Sequence, residues 1–204
     1  MTQLLTWERL TIAGGGRGLE HWGTQNPLLA AELVRRDVLK AGSCLPMIWF
    51  CGGRVVPVVI WDLDALRARL DRGAGPLLYR SVLADRLAHG RDHLEPAVLR
   101  MHAFISVHPL AAGARNALGS VSGFAQAIAA VPQSPGVAPW EADECGYYGF
   151  TIAEVDGSAA RTVVQGRCGP KHPQGGVPHQ RRLMEEQLFD VAIRTGTTPF
   201  KEES

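Results

Sequence analysis

Apolar and polar positions along the 204-residue chain alternate with two different periods, and the switches between them divide it into segments. Residues 4–12 (Leu-Leu-Thr-Trp-Glu-Arg-Leu-Thr-Ile) carry the mixed alternation of a strand that ends at Gly14-Gly15-Gly16-Arg17-Gly18. Asn26 before Pro27 is a helix start, because Asn accepts from free amides and proline at the first position forfeits no hydrogen bond. Leu28, Leu29, Ala31, Leu33, Val34, Val38 and Leu39 then supply the apolar face of a helix over 27–40, with Gly42 as its left-handed end. The run 45–61 is nearly continuously apolar but broken at Cys51-Gly52-Gly53, so it reads as a hairpin of strands 47–50 and 54–61. Pro57 cannot donate to a ladder, which places it at an edge or a bulge.

Asp62 or Asp64 caps a short helix through Leu70 that Gly73-Ala74-Gly75-Pro76 ends. Further helices are expected at 77–87 and from Pro96, and a strand at 101–108. A small-residue helix follows over 111–131, then a proline-rich irregular connector at Pro132, Pro135 and Pro139. Around Asp156-Gly157 lie two extended segments, read as a hairpin over 145–168 whose two-residue turn sets Cys145 opposite Cys168. In that register Tyr148, Phe150 and Ile152 share the core face, and the opposed thiols form either a disulfide clip or two half-buried cysteines. A Gly-Pro loop follows, then a final helix over 179–194 and a frayed tail at 197–204. These elements predict one α+β domain spanning 1–204, with a small antiparallel or mixed sheet covered by helices on one side and a helical insertion at 62–100.

Composition narrows the function classes. Hydrophobic residues make up 46% of the chain, enough for a real core, and 21 Lys and Arg nearly balance 20 Asp and Glu. Bulk charge therefore advertises no polyanion-binding surface, although a local basic groove remains open. No export signal or apolar run of spanning length is read, so a cytoplasmic protein without membrane association is expected. Cys44, Cys51, Cys145 and Cys168 lack Cys-x-x-Cys spacing, and no cofactor or metal is expected.

Several constellations carry candidate chemistry. Arg17 in its glycine run follows a strand, where backbone amides can approach a phosphate, although the next helix waits for Asn26. Val-Ile-Trp-Asp62-Leu-Asp64 resembles the Asp-x-Asp strand end of haloacid-dehalogenase phosphatases, against which stands plain helix capping. His102 with His108, His89 with His93, and Cys44 with a distant histidine offer metal or thiol chemistry, each with a structural alternative. The densest basic patch is Arg161, Arg167, Lys171, His172, His179, Arg181 and Arg182. With Tyr147 and Tyr148 it joins phosphate-binding groups to stacking rings, as single-stranded RNA sites require.

The order of strand, glycine-bearing loop, Asn-Pro-Leu-Leu-Ala-Ala-Glu-Leu-Val helix, short hairpin, helical middle and Gly-Tyr-Tyr-Gly-Phe-Thr-Ile-Ala-Glu-Val hairpin resembles a CRISPR-associated RAMP protein of the backbone-subunit kind. The resemblance lies in segments 4–40 and 145–168. It implies a ferredoxin-like RNA-recognition core, crRNA binding beside other protein subunits in an antiviral surveillance complex, and no independent catalysis. The rival expectations are a small hydrolase or phosphotransfer enzyme using Asp62, Asp64 or Cys44 with histidines, and a protein–protein adaptor.

Overall fold

A computed structural model describes residues 22, 26–50, 53–89, 94–108, 112–134, 136–168 and 178–200. The expected strand at 4–12 and the glycine run with Arg17 lie outside them. Helix α1 (Pro27–Val34) starts as its sequence dictates: Asn26 accepts from the Leu28 amide at 2.9 Å, and Pro27 opens the first turn. The helix widens into a π-helical turn, Arg35–Leu39, which Lys40 closes in the left-handed conformation at φ 57°. Lys40, rather than Gly42, is therefore the terminating residue. Leu28 and Leu29, expected on the buried face, are half exposed, and Ala30, Ala31, Leu33 and Val34 form the contact instead.

A seven-stranded mixed sheet forms the centre. Strands β1 (Ser43–Cys44) and β2 (Ile48–Phe50) both pair antiparallel with β3 (Gly53–Trp61), and β3 pairs antiparallel with β4 (Leu99–Ser106). Pro57 sits where the outer partner of β3 changes from β2 to β1, and its carbonyl accepts from Leu45 at 2.9 Å. Its missing N–H thus costs the sheet little, as an edge or bulge position requires. A bulge lies next to it: Val58 pairs with Ala103 and Val59 with Met101, so His102 is the extra residue.

From β4 the chain crosses through α4 (Ala112–Val121) to β5 (Gln126–Pro132), and through α5 (Pro139–Tyr148) to β6 (Thr151–Val155), both strand pairs being parallel. Strand β7 (Ala160–Val164) then returns antiparallel to β6. Two expectations are corrected here. The 111–131 segment is not one helix, because Ser122, Gly123 and Phe124 turn the chain and Ala127–Val131 is buried on both sheet faces. Such strands are continuously apolar, with no alternation to distinguish them from a small-residue helix. The proline-rich connector is shorter than expected: Pro132 closes β5, residues 133, 134 and 136–138 are irregular, and Pro139 occupies the first turn of α5, where the Glu141 carboxylate accepts from the Ala138 amide at 3.1 Å.

The long hairpin is corrected as well. Cys145 is buried inside α5, whereas Cys168 is exposed beyond β7, and both are free thiols. The turn takes four residues because the Asp156 carboxylate accepts from the amides of Ser158 (3.2 Å) and Ala159 (3.0 Å). Val155 therefore pairs with Ala160 rather than with Ser158. Beyond it the β7 edge is tied to the end of α1, since Ala160 N–H donates to Asp37 at 2.9 Å and Arg36 donates to the Ser158 carbonyl at 2.8 Å.

Helices cover both faces of the sheet, not one. On one face α1 and Trp22, whose Nε1 donates to the Val107 carbonyl at 2.6 Å, pack on Val56, Val58, Ile105, Ile128 and Ala153. The other face buries Phe50, Phe104, Ala127, Ala129 and Ile152 beneath α2 (Leu63–Asp71), α4, α5 and the C-terminal α6 (Pro178–Thr195). Helix α3 (Arg80–Ala88) packs on α6, and residues 95–97, expected to open a helix at Pro96, are irregular. The fold is α+β. Its strands follow one another in chain order with two parallel pairs, unlike the antiparallel sheet of a ferredoxin-like core.

A buried ion network fixes α6. Arg69 donates to both carboxylate oxygens of Glu186, at 2.8 and 3.0 Å, and to the Gly75 carbonyl at 2.6 Å. Glu186 also accepts from the Leu77 amide at 2.9 Å and pairs with Arg182 at 2.7 Å. The Arg69 and Glu186 side chains are 1% and 2% exposed, so removing one partner strands charge in a low-dielectric interior. Glu186→Ala is expected to lower the unfolding free energy by about 3–5 kcal/mol in urea titrations, whereas replacing Arg69, Arg182 and Glu186 together by apolar residues restores most of it.

Candidate functional site

Parallel strands cannot be joined by a tight turn, so α4 and α5 lie side by side over the sheet, and a groove opens between them. Its volume is about 610 Å³, and its walls are Arg115, Asn116, Gly119 and Ser120 of α4 with Glu144 and Tyr148 of α5 and Phe150 beyond it. An Arg115–Glu144 ion pair bridges the two helices, each side chain about one-third exposed. The Ser120 hydroxyl donates to the Asn116 carbonyl at 2.8 Å.

At one lip three aromatic rings meet. Tyr148 stacks on Phe150 with centroids 5.7 Å apart and ring planes 22° from parallel, and Tyr147 meets Tyr148 edge-on at 5.3 Å. The stack is held from behind by residues 165–168. Gly149 ends α5 at φ 77°, and a Cβ there would lie 2.8 Å from Arg167 Nε, so only glycine lets the arginine cross at this point. Arg167 N–H donates to the Gly149 carbonyl at 2.9 Å, and Gly166 N–H donates to Thr151 Oγ1 at 3.1 Å. A Cβ on Gly166 would lie 2.4 Å from the Phe150 carbonyl carbon.

The residues singled out from sequence separate into distinct places. Tyr147, Tyr148 and Arg167 come together at this lip. Arg161 stands on β7, paired with Glu154 at 2.8 Å, beside a smaller cavity of about 190 Å³ also lined by Gln133 and Asp156. Arg181 and Arg182 belong to α6, where they pair with Glu185 at 3.2 Å and Glu186 at 2.7 Å, and Arg182 is buried. Arg17, Lys171 and His172 lie outside the described residues. Arg115, Asn116 and Ser120 were not singled out, although their spacing of one and four positions marks a polar stripe along α4.

The candidate catalytic groups have structural employment. Asp62 accepts from the Ala65 amide at 3.0 Å as the N-cap of α2, and Asp64 stands in its first turn. Cys44 lies on β1 with its thiol toward the Ala31 carbonyl, and burial together with the Glu32 charge pushes it up to about 12. Burial lowers the affinity of His102 for a proton. Among the described residues, no three His, Cys, Asp or Glu side chains are grouped to hold a metal ion, and no helix is long and apolar enough to cross a membrane. The chain matches no protein-family model, no curated protein and no solved structure.

Burial raises Cys145 to about 11 as well. Both buried thiols hold their protons more tightly folded than unfolded, where the value is near 9.0. The stability linked to these protons is thus intact below pH 9 and lost as pH climbs toward 11–12, so the fall in unfolding free energy between pH 9 and 11, read by urea titration at each pH, should be smaller in the Cys44→Ala and Cys145→Ala variants than in the parent chain. In a Cys51→Ser background at pH 8, iodoacetamide is expected to label Cys168 fast and the other two thiols at least about tenfold more slowly, read by peptide mass spectrometry.

Proposed function

We propose that this chain is a noncatalytic RNA-associated subunit of a multisubunit ribonucleoprotein, of the crRNA-binding kind implied by its sequence resemblance. Supporting this reading is one arrangement above all: a solvent-facing Tyr148 ring, braced on Phe150, at the lip of a groove that also presents Arg115 and Asn116, with Arg167 crossing the adjacent Gly149. An unpaired base stacks on such a ring with any sequence, while amide and guanidinium groups meet its polar edge or the adjoining phosphate. The groove volume falls within the range of small-ligand sites, large enough for a flipped-out nucleotide.

Charge sets the character of the interaction. Glu144 already neutralises Arg115 in part, and Arg161, Arg181 and Arg182 are held by carboxylates, so stacking outweighs phosphate contact. With one or two phosphates engaged, the logarithmic salt slope should be only about −0.7 to −1.4.

Fluorescence anisotropy with a labelled single-stranded oligouridine tests the proposal. Tyr148→Ala is expected to weaken binding by about 1–3 kcal/mol, roughly 5- to 150-fold. Arg167→Ala should reduce the salt slope by about 0.7, and Arg161→Ala should change little. Absence of binding, or an undiminished affinity in Tyr148→Ala, removes this function.

A further inference from the structure

The outward side of α5 does not look like a solvated helix face. Cys145 points into the core, and the side facing away from it is formed by Trp140, Asp143 and Tyr147 at positions i, i+3 and i+7. Trp140 is 62% exposed and Tyr147 79%, so two of the largest apolar side chains of the chain stand in water on one stripe of a ten-residue helix. Between them Asp143 is exposed and makes no ion pair with any described residue. Tyr147 and Tyr148 thereby divide their labour: Tyr148 faces the groove, and Tyr147 faces outward with Trp140.

We propose that this stripe is a docking surface for an arginine-bearing segment of a partner protein. Charge complementarity selects the partner. Helix α5 carries Glu141, Asp143 and Glu144, of which only Glu144 is paired with a cation among the described residues, so the outward face repels polyanions and attracts a cation. The two rings stand two helical turns apart, about 10 Å along the axis, with the carboxylate between them. A guanidinium laid on this stripe stacks on the indole or the phenol face while donating to Asp143, a combination that the compact, strongly hydrated lysine ammonium matches poorly. The surface adjoins the lip of the RNA groove, since Tyr147 meets Tyr148 edge-on, but Trp140 and Asp143 lie outside the groove's lining.

The probes are a labelled Arg-Gly repeat peptide, a Lys-Gly repeat of equal charge and a single-stranded oligouridine, read by anisotropy. The Arg-Gly peptide is expected to bind about three- to fivefold more tightly than the Lys-Gly peptide. Trp140→Ala and Asp143→Asn should each weaken it by a similar factor at unchanged melting temperature, while Asp64→Asn, at an exposed carboxylate on α2, leaves it unaltered. Equal binding of the two peptides, or wild-type affinity in Trp140→Ala, overturns the proposal. Oligouridine affinity that falls in Trp140→Ala would reassign the face to RNA, and self-association abolished by Trp140→Ala would reassign it to a second copy of the chain; either result overturns it too. Loss of oligouridine binding in Tyr148→Ala bears only on the groove.

Discussion

The architecture depends on the parallel pairing of β5 with its two neighbours. Parallel strands need a crossover, and a crossover that starts and ends on one sheet face must lie across it as a helix. Strand β5 is consequently covered on one side by α4 and α5 and on the other by α1, and its residues Ala127 to Val131 can all be apolar and small. The groove between α4 and α5 follows from the same constraint: two crossovers side by side leave a furrow wherever their facing side chains are short. Gly119 and Ser120 are the short residues, and Phe150, just past the Gly149 cap of α5, completes the lining.

Electrostatics then separates stability from recognition. Several cations are held by carboxylates, Arg69 and Arg182 on Glu186 in the interior and the exposed Arg161 on Glu154. The Arg69 guanidinium also lies 5.0 Å from the Phe189 ring, so the network ties α2, the 74–79 segment and α6 into one unit. What remains for recognition is aromatic surface with a few charges beside it. Helix α5 thus carries both surfaces proposed for recognition, one side turned toward the groove and another toward solvent.

Much of the fold was legible because local chemistry and tertiary context agree. Asn26 and Asp62 each cap a helix in the structure as in the sequence, the glycine break after Phe50 separates two paired strands, and the α6 pattern appears within a residue of its expected bounds. The failures share a cause. Ala125 to Val131 has no alternation because both of its faces are buried, so its small residues mimicked a helix. Cys145 to Tyr148 reads as extended from its tyrosines, yet Pro139, Glu141 and Gly149 together specify a helix there. At the site, Tyr148 and Arg167 were legible as chemistry, but their adjacency was not: it arises from Gly149 and Gly166, whose missing side chains admit the close crossing of two segments. Arg115 stayed hidden inside a helix whose end had been placed too far along.

The π-turn that closes α1 has a further consequence at the margin of the sheet. An outermost strand offers unpaired amides and carbonyls to any other extended chain, which is how stacked fibrils and exchanged strands begin. Here Asp37 takes the Ala160 amide, and Arg36 takes the Ser158 carbonyl at the adjoining corner. The first rung of the exposed ribbon is thus occupied by side chains from a distant helix, and growth by strand addition is blocked at the end where it would most readily nucleate.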